Sequence, residues 1–197
     1  MTTLDEAFWR LLLLDARTHV GWKAEPIDDA TLRRLYELVR MAPTGANSQP
    51  LRIAFVKSAA AKERLRPALD AGNVDKTMAA PVTAILAWDS RFFDEMHKLV
   101  PHRPDMGKRL GERPVADRER AGTQSAYLQA GYFILAARGL GLDCGPMGGF
   151  DPAKVDAEFF ADGRWRSLLL VNLGHGDPTK LRPRAPRLEF EEACRVE

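Results

Sequence analysis

Ala42-Pro43-Thr44-Gly45-Ala46-Asn47-Ser48-Gln49-Pro50 sets hydroxyl and amide side chains between two prolines. Proline cannot continue a helix, so the helical pattern before this run should stop near Met41. The stiff loop that follows offers donors and acceptors side by side, suited to a flat polar heterocycle or a phosphate. Four other segments could line the same pocket. Arg17-Thr18, with Trp22 close behind, puts a hydroxyl beside a guanidinium, which binds phosphate oxygens in bidentate fashion. Asn73 and Lys76 share a face of any helix they occupy, where they could meet a ring edge bearing carbonyl oxygens. Gly145-Pro146-Met147-Gly148-Gly149-Phe150 offers bare backbone to a ligand, because glycine lacks a Cβ. Arg182-Pro183-Arg184-Ala185-Pro186 is an extended basic segment. Taken singly, each has a plainer reading: a surface arginine, a solvated helix face, a tight turn, a solvated tail.

The elements that must carry these residues follow from periodicity. Helices are expected over Leu4–Ala16, Asp28–Met41, Ala59–Leu69, Val74–Ala79, Phe92–Val100, Asp117–Leu140 and Asp151–Phe160. Strands are expected over Arg52–Lys57, Val82–Trp88 and Ser167–Leu173, the last two apolar enough to be central in a sheet. The centre of the long helix, Ala126 to Ala137, is apolar on most sides and should be buried. Pro101 to Pro114 reads as a mobile lid or a connection, and Leu188–Ala193 as a strand-like or helical end. Strands separated by helices suggest an α/β or α+β sandwich with helices on both faces.

Composition narrows the function. With 197 residues and no linker, one domain is expected, 1–197. A formal charge of +2 lacks the clustered basic surface of a nucleic-acid binder. Cys144 and Cys194 make neither a disulfide framework nor a four-ligand zinc site, and no metal is expected. Met1–Glu6 has no signal-peptide pattern and no run approaches a membrane span, so a soluble cytoplasmic protein is the default expectation. Neither G-x-G-x-x-G after a strand nor G-x-x-x-x-G-K-[ST] occurs, which argues against a Rossmann nicotinamide domain and a P-loop.

In order along nearly the whole chain, the five segments resemble the FMN-dependent nitroreductase family. The resemblance marks Arg17, Thr18 and His19; Pro43, Thr44, Asn47 and Gln49; Asn73 and Lys76; Pro146, Met147, Gly148 and Gly149; and Arg182 and Arg184 as flavin-contacting. Two places depart from the pattern. Val20 stands where many members have a second basic residue, leaving His19 beside it as a substitute, and Gly148 stands where many have an acid. Asp15–His19, Lys62–Leu69, Ala80–Ala84 and Gly145–Met147 look like the malonic semialdehyde reductase (3-hydroxypropanoate dehydrogenase) branch, which serves pyrimidine catabolism in bacteria.

The resemblance implies an α+β three-layer sandwich with a central mixed sheet, a lid-like insertion at 91–120 and a C-terminal arm at 178–197. It implies a domain-entwined homodimer with FMN at the interface, and NAD(P)H as co-substrate in a ping-pong cycle. Arg17, Arg182 and Arg184 would hold the FMN phosphate, while Lys76 and Gly149 would tune the ring. The oxidant would be a small aldehyde, malonic semialdehyde, its carboxylate met by His102, Arg103, Arg109 or Arg113. A broad nitro- or quinone reductase uses the same flavin residues and is the alternative.

Overall fold

A strand that is apolar at nearly every position must be covered on both sides. In the computed structural model, which describes residue 3 and residues 5–197, Val82–Asp89 is that strand, with all eight residues buried. Its neighbours give the sheet order β1 (Leu51–Val56), β2 (Val82–Asp89), β4 (Trp165–Gly174), β3 (Asp143–Met147). Successive side chains of β2 point to opposite faces. Ala84, Leu86 and Trp88 enter one core with Leu35 and Val39 of α2 (Asp29–Val39) and Phe133 of α7 (Val115–Gly139). Ile85 and Ala87 enter the other, with Leu65 of α3 (Ala59–Leu65) and Val155 of α8 (Pro152–Phe159). Helices on both faces of one sheet give the expected three-layer α+β sandwich.

Local chemistry sets the helix limits. Asp28 caps α2, its carboxylate accepting from Thr31 N at 2.7 Å. Ser58 caps α3 in the same way. Pro67 ends α3 earlier than expected, in a 3-10 turn at Arg66–Ala68, and α4 (Ala71–Ala79) follows.

The structure differs from the sequence reading at several points. The three strand pairings are all antiparallel, where a mixed sheet was expected; the parallel contribution is one isolated bridge, Thr18 to Cys144, on the edge of β3. The first helix, α1 (Glu6–Trp9), continues into a π-helical turn at Arg10–Leu14, and Leu4 lies outside the described residues. Gly145, Pro146 and Met147, read as part of a turn, belong to strand β3. A proline is tolerated there because β3 is an edge strand. Phe92–Val100 is a 3-10 turn followed by the short α5 (Met96–Leu99). Pro101–Pro114, read as a lid or connection, contains α6 (Met106–Gly111), whose Met106 and Leu110 are buried in the first core. The long α7 is buried on one face only; Tyr127, Leu128 and Tyr132 are 51, 47 and 43 % exposed. The tail ends in α9 (Phe190–Ala193), the helical option.

Candidate functional site

A cavity of about 1100 Å³ opens beside the β3 edge. Arg17, Thr18 and Val20 line it from the segment after α1, and Gly72, Asp75 and Lys76 from α4. Arg138 of α7 and Arg182, Arg184 and Arg187 of the tail complete the polar wall. Each element is fastened in place. The Thr18–Cys144 bridge and the bond from His19 N to Cys144 O, 3.0 Å, hold the first segment on β3. Arg17 Nη2 donates to Arg182 O, and Arg184 Nη2 donates to Ala16 O at 3.0 Å, which straps the tail across the N-terminal segment.

The C-terminal end of α4 is held from three sides. Trp22 Nε1 and Asn172 Nδ2 donate to Lys76 O at 2.9 and 3.3 Å. Lys62, only 5 % exposed, donates from Nζ to Thr77 O at 3.0 Å and to Met78 O at 3.4 Å. Burial pushes the Lys62 ammonium down to about 8. These contacts fix the backbone from which Lys76 projects, in the last turn, where a cation suits the helix dipole.

Six cationic side chains line the cavity against one carboxylate, Asp75. Among the described residues, none of the six lies within 4.0 Å of a carboxylate. A guanidinium has five N–H donors, so the bonds that Arg17 and Arg184 make to backbone carbonyls leave donors to spare. Unpaired guanidinium groups beside a hydroxyl form a donor set for a phosphate dianion.

The structure brings together Arg17, Thr18, Lys76, Arg182 and Arg184 of the residues singled out from the sequence. Asn73 and Gly149 do not line that cavity and are joined to each other: Asn73 Nδ2 donates to Gly149 O at 2.5 Å. A Cβ on Gly149 would stand 2.4 Å from Asn73 Nδ2, so this contact requires glycine. A Cβ on Gly148 would meet nothing within 4 Å. Pro146 pairs with Val171 inside the sheet, and Met147 is buried with its sulfur accepting from Thr77 Oγ1 at 3.5 Å.

His19, expected to replace the missing basic residue at Val20, turns away from the cavity. It is 7 % exposed, with Nε2 3.3 Å from Asp143 Oδ1. Its ring fills the space beside Gly176, where a Cβ would stand 1.9 Å from Nδ1. Val20 does line the cavity, and so does Arg138, a cation which the sequence reading missed. The one signal was a lone charge in the last turn, after the apolar stretch Ala126–Ala137, a common pattern for dipole compensation.

The loop from Pro43 to Pro50 lies elsewhere. Gly45 N donates to Ser125 Oγ of α7 at 3.2 Å, and Leu51 N to Gln129 Oε1 at 3.1 Å. Ala46, Asn47 and Gln49 have φ of 53°, 53° and 40°, which costs a non-glycine residue about 1 kcal/mol or more. Thr44, Asn47 and Gln49, expected to face a ligand, spend bonds on holding this shape. Thr44 Oγ1 accepts from Gln49 N at 3.1 Å, Gln49 Nε2 donates to Asn47 Oδ1 at 3.0 Å, and Asn47 Nδ2 donates to Leu99 O at 3.0 Å.

Gly45, Ala46 and Ser48 of this loop line a second cavity of about 360 Å³, together with Arg103, Arg109 and Arg113. His102 is exposed and does not line it. His97 and His175 are likewise peripheral, bonded to Asp94 O and lying 3.8 Å from Glu25. Cys144 is buried and Cys194 exposed, both as free thiols.

A sheet between two helical layers, with a cation-lined cavity at one edge, defines an α+β sandwich suited to an anionic ligand. The model described as "Nitroreductase family" matches residues 16–175. A curated protein of Ralstonia nicotianae, provisionally named NADH dehydrogenase/NAD(P)H nitroreductase, is 50 % identical over 196 residues, 100 % of both chains. One of Leptothrix cholodnii with the same provisional name is 51 % identical over 193 residues, 98 % of both chains. A structure from Bacillus subtilis, provisionally described as a nitroreductase, superposes with TM-score 0.88 at 21 % identity, covering 98 % of this chain and 100 % of its own. Another from Exiguobacterium sibiricum, described in the same way and in complex with FMN, gives 0.87 at 18 % identity over 100 % and 99 %. These two likenesses show the fold. The chain belongs to the nitroreductase family.

Proposed function

We propose that this protein is an FMN-dependent oxidoreductase that carries reducing equivalents from NAD(P)H to a small acceptor in the cytoplasm. The observation that carries this reading is the cavity of unpaired cations around a rigidly held Lys76. Its donor set fits the phosphate of FMN, and the names of the 50 % identical relatives point to NAD(P)H. When bound, FMN supplies a two-electron carrier that can take hydride from a nicotinamide and give it to an acceptor. Arg17, Arg182 and Arg184 would hold its phosphate. Thr18 adds a hydroxyl donor. Lys76 places fixed positive charge where a reduced, anionic ring needs stabilising. The Asn73–Gly149 contact fixes the backbone of these two segments, which would stand beside the ring.

The acceptor we favour is malonic semialdehyde, reduced to 3-hydroxypropanoate in pyrimidine catabolism. Arg103 and Arg113 support it: they border the smaller cavity and have no carboxylate within 4.0 Å among the described residues, while Arg109 stands 3.6 Å from Asp105. A carboxylate-bearing substrate would supply that missing charge. A broad nitro- or quinone reductase rests equally on the family relationship. Replacing Arg113 with glutamine separates the two. It should raise KM for the semialdehyde about tenfold and leave that for a neutral quinone unchanged. Equal effects on both would remove the carboxylate reading.

We also propose a homodimer. Within one chain the Pro43–Pro50 loop lines a different cavity from Arg17 and Lys76. Apolar side chains stand exposed on the first helical segment (Phe8, Trp9, Leu11) and on α7 (Tyr127, Leu128, Tyr132), as a subunit contact would need. The first test of the whole reading is the visible spectrum of the purified protein before and after anaerobic NADPH. A flavin spectrum that bleaches supports it. Protein that takes up no FMN refutes it.

A further inference from the structure

We infer that Arg138 is an additional phosphate-binding residue of the larger cavity, supplying the cation that His19 fails to provide. This rests on the flavin reading above. Arg138 sits in the last turn of α7 and lines the cavity with Arg17 and Arg184. Its Nη1 donates to Leu12 O at 2.8 Å. Its Nε is shielded from solvent and has no hydrogen-bond partner among the described residues. No carboxylate lies within 4.0 Å of it among the described residues. Arg138 is half-buried, so its shielded Nε and its charge gain from an acceptor and a counter-charge, and here the chain provides one carbonyl.

The neighbouring acids do not fill the gap. Asp143 is taken by His19 and by Gly176 N, which donates to Oδ2 at 2.8 Å. Cys144 remains a neutral thiol, because burial pushes it up to about 12 against the opposing charge of Arg138. An arginine kept only to tether the Leu12 carbonyl would need no charge, since a neutral amide donates as well. What satisfies this guanidinium is a ligand anion, and the cavity it faces is the one built for a phosphate monoester. Arg17 and Arg184 already give a donor each to backbone carbonyls, so a third guanidinium adds to their hold on the same dianion.

The consequence is a preference for FMN over riboflavin that depends on residue 138. Binding of each flavin to the full-length protein can be followed by fluorescence quenching, with thermal unfolding as a check on folding. Arg138→Gln should raise the FMN Kd about tenfold or more and leave the riboflavin Kd within about twofold. Arg138→Lys, which keeps the charge, should recover most of the FMN affinity. Equal weakening of both flavins, or no change in either, would overturn the assignment and leave Arg138 a tether. If Arg138→Gln does not fold, Arg138→Lys decides: selective retention of FMN supports the role, and parallel loss of FMN and riboflavin overturns it. Wild-type protein that binds neither flavin would overturn the flavin reading itself, before any variant is made.

Discussion

Replacing Lys62 with methionine should remove a contribution to stability that rises between pH 7 and pH 10. The ammonium of Lys62 is buried under α3 against the last carbonyls of α4, with no carboxylate within 4.0 Å among the described residues. Desolvation lowers it from its ordinary 10.5 to about 8. In the unfolded chain the ordinary value returns. Between the two values the unfolded chain holds more protons than the folded one, so stability increases with pH. Below pH 8 both states are charged and the folded state carries the full desolvation cost. Integrating from pH 7 to pH 10 gives a gain of about 2.5 kcal/mol. Other groups titrate over this range, so the useful quantity is the difference between wild type and Lys62→Met. Urea unfolding of both proteins at four pH values measures it. That difference should move in favour of the wild type by about 2–3 kcal/mol as pH rises. A constant difference would show that Lys62 is hydrated in the folded protein and that the wall carrying Lys76 is held by other means.

Two further substitutions probe the frame and the site. Asp89 is fully buried and receives Arg52 Nη2 at 2.7 Å and Arg164 Nε and Nη2 at 2.9 Å each. Burial pushes its carboxyl up, but bonds from Arg164 and Arg91 N and the charge of Arg52 outweigh that and hold it below the usual range. Its contribution is therefore present above the ordinary carboxylate value and lost as pH falls through the lowered one. Asp89→Asn should cost about 3 kcal/mol in urea unfolding at neutral pH and flatten the acid limb of the stability curve; an unchanged acid limb would contradict the arrangement. Gly149→Ala would drive a Cβ to within 2.4 Å of Asn73 Nδ2. Flavin titration should show at least about a tenfold loss of FMN affinity, since Asn73 must move, and unchanged affinity would place Asn73 and Gly149 outside the site.

Much of the frame was legible because it is periodic. The apolar run at Val82–Trp88 demanded a central strand, and Leu32, Leu35 and Val39 fix the buried face of α2. The cations Arg17, Lys76, Arg182 and Arg184 were legible from type and order, and they converge on one cavity. What stayed hidden depends on contacts distant in sequence. Strand β3 carries Gly145 and Pro146, which look like turn residues, and it forms because β4 offers a partner along its whole length. His19 is turned by Asp143, far along the chain. Arg138 is one charge after the apolar stretch Ala126–Ala137, and only the folded chain brings it to the cavity of Arg17. Thr44, Asn47 and Gln49 have ligand-binding chemistry, yet the left-handed backbone of their loop consumes it locally.

The two cavities also bear on the homodimer proposed above. Arg138 marks the first and Ser125 the second, and both stand on α7. Thirteen residues of helix separate them, a rise of about 20 Å. No loop movement in one chain spans that distance, because Ser125 and Gln129 anchor the Pro43–Pro50 loop to the helix itself. A two-fold axis crossing α7 near its middle would reverse one helix against the other. The end of one copy bearing Arg138 would then lie beside the loop-bearing part of its partner. Between these points the helix shows Tyr127, Leu128 and Tyr132 to solvent, the side chains such a contact would bury. Replacing Leu128 with aspartate should therefore do two things together. It should convert the dimer to monomer in light scattering, and it should make FMN affinity fall with dilution, although residue 128 lines neither cavity. A monomeric variant that binds FMN as tightly as the wild type would show that one chain holds the cofactor alone.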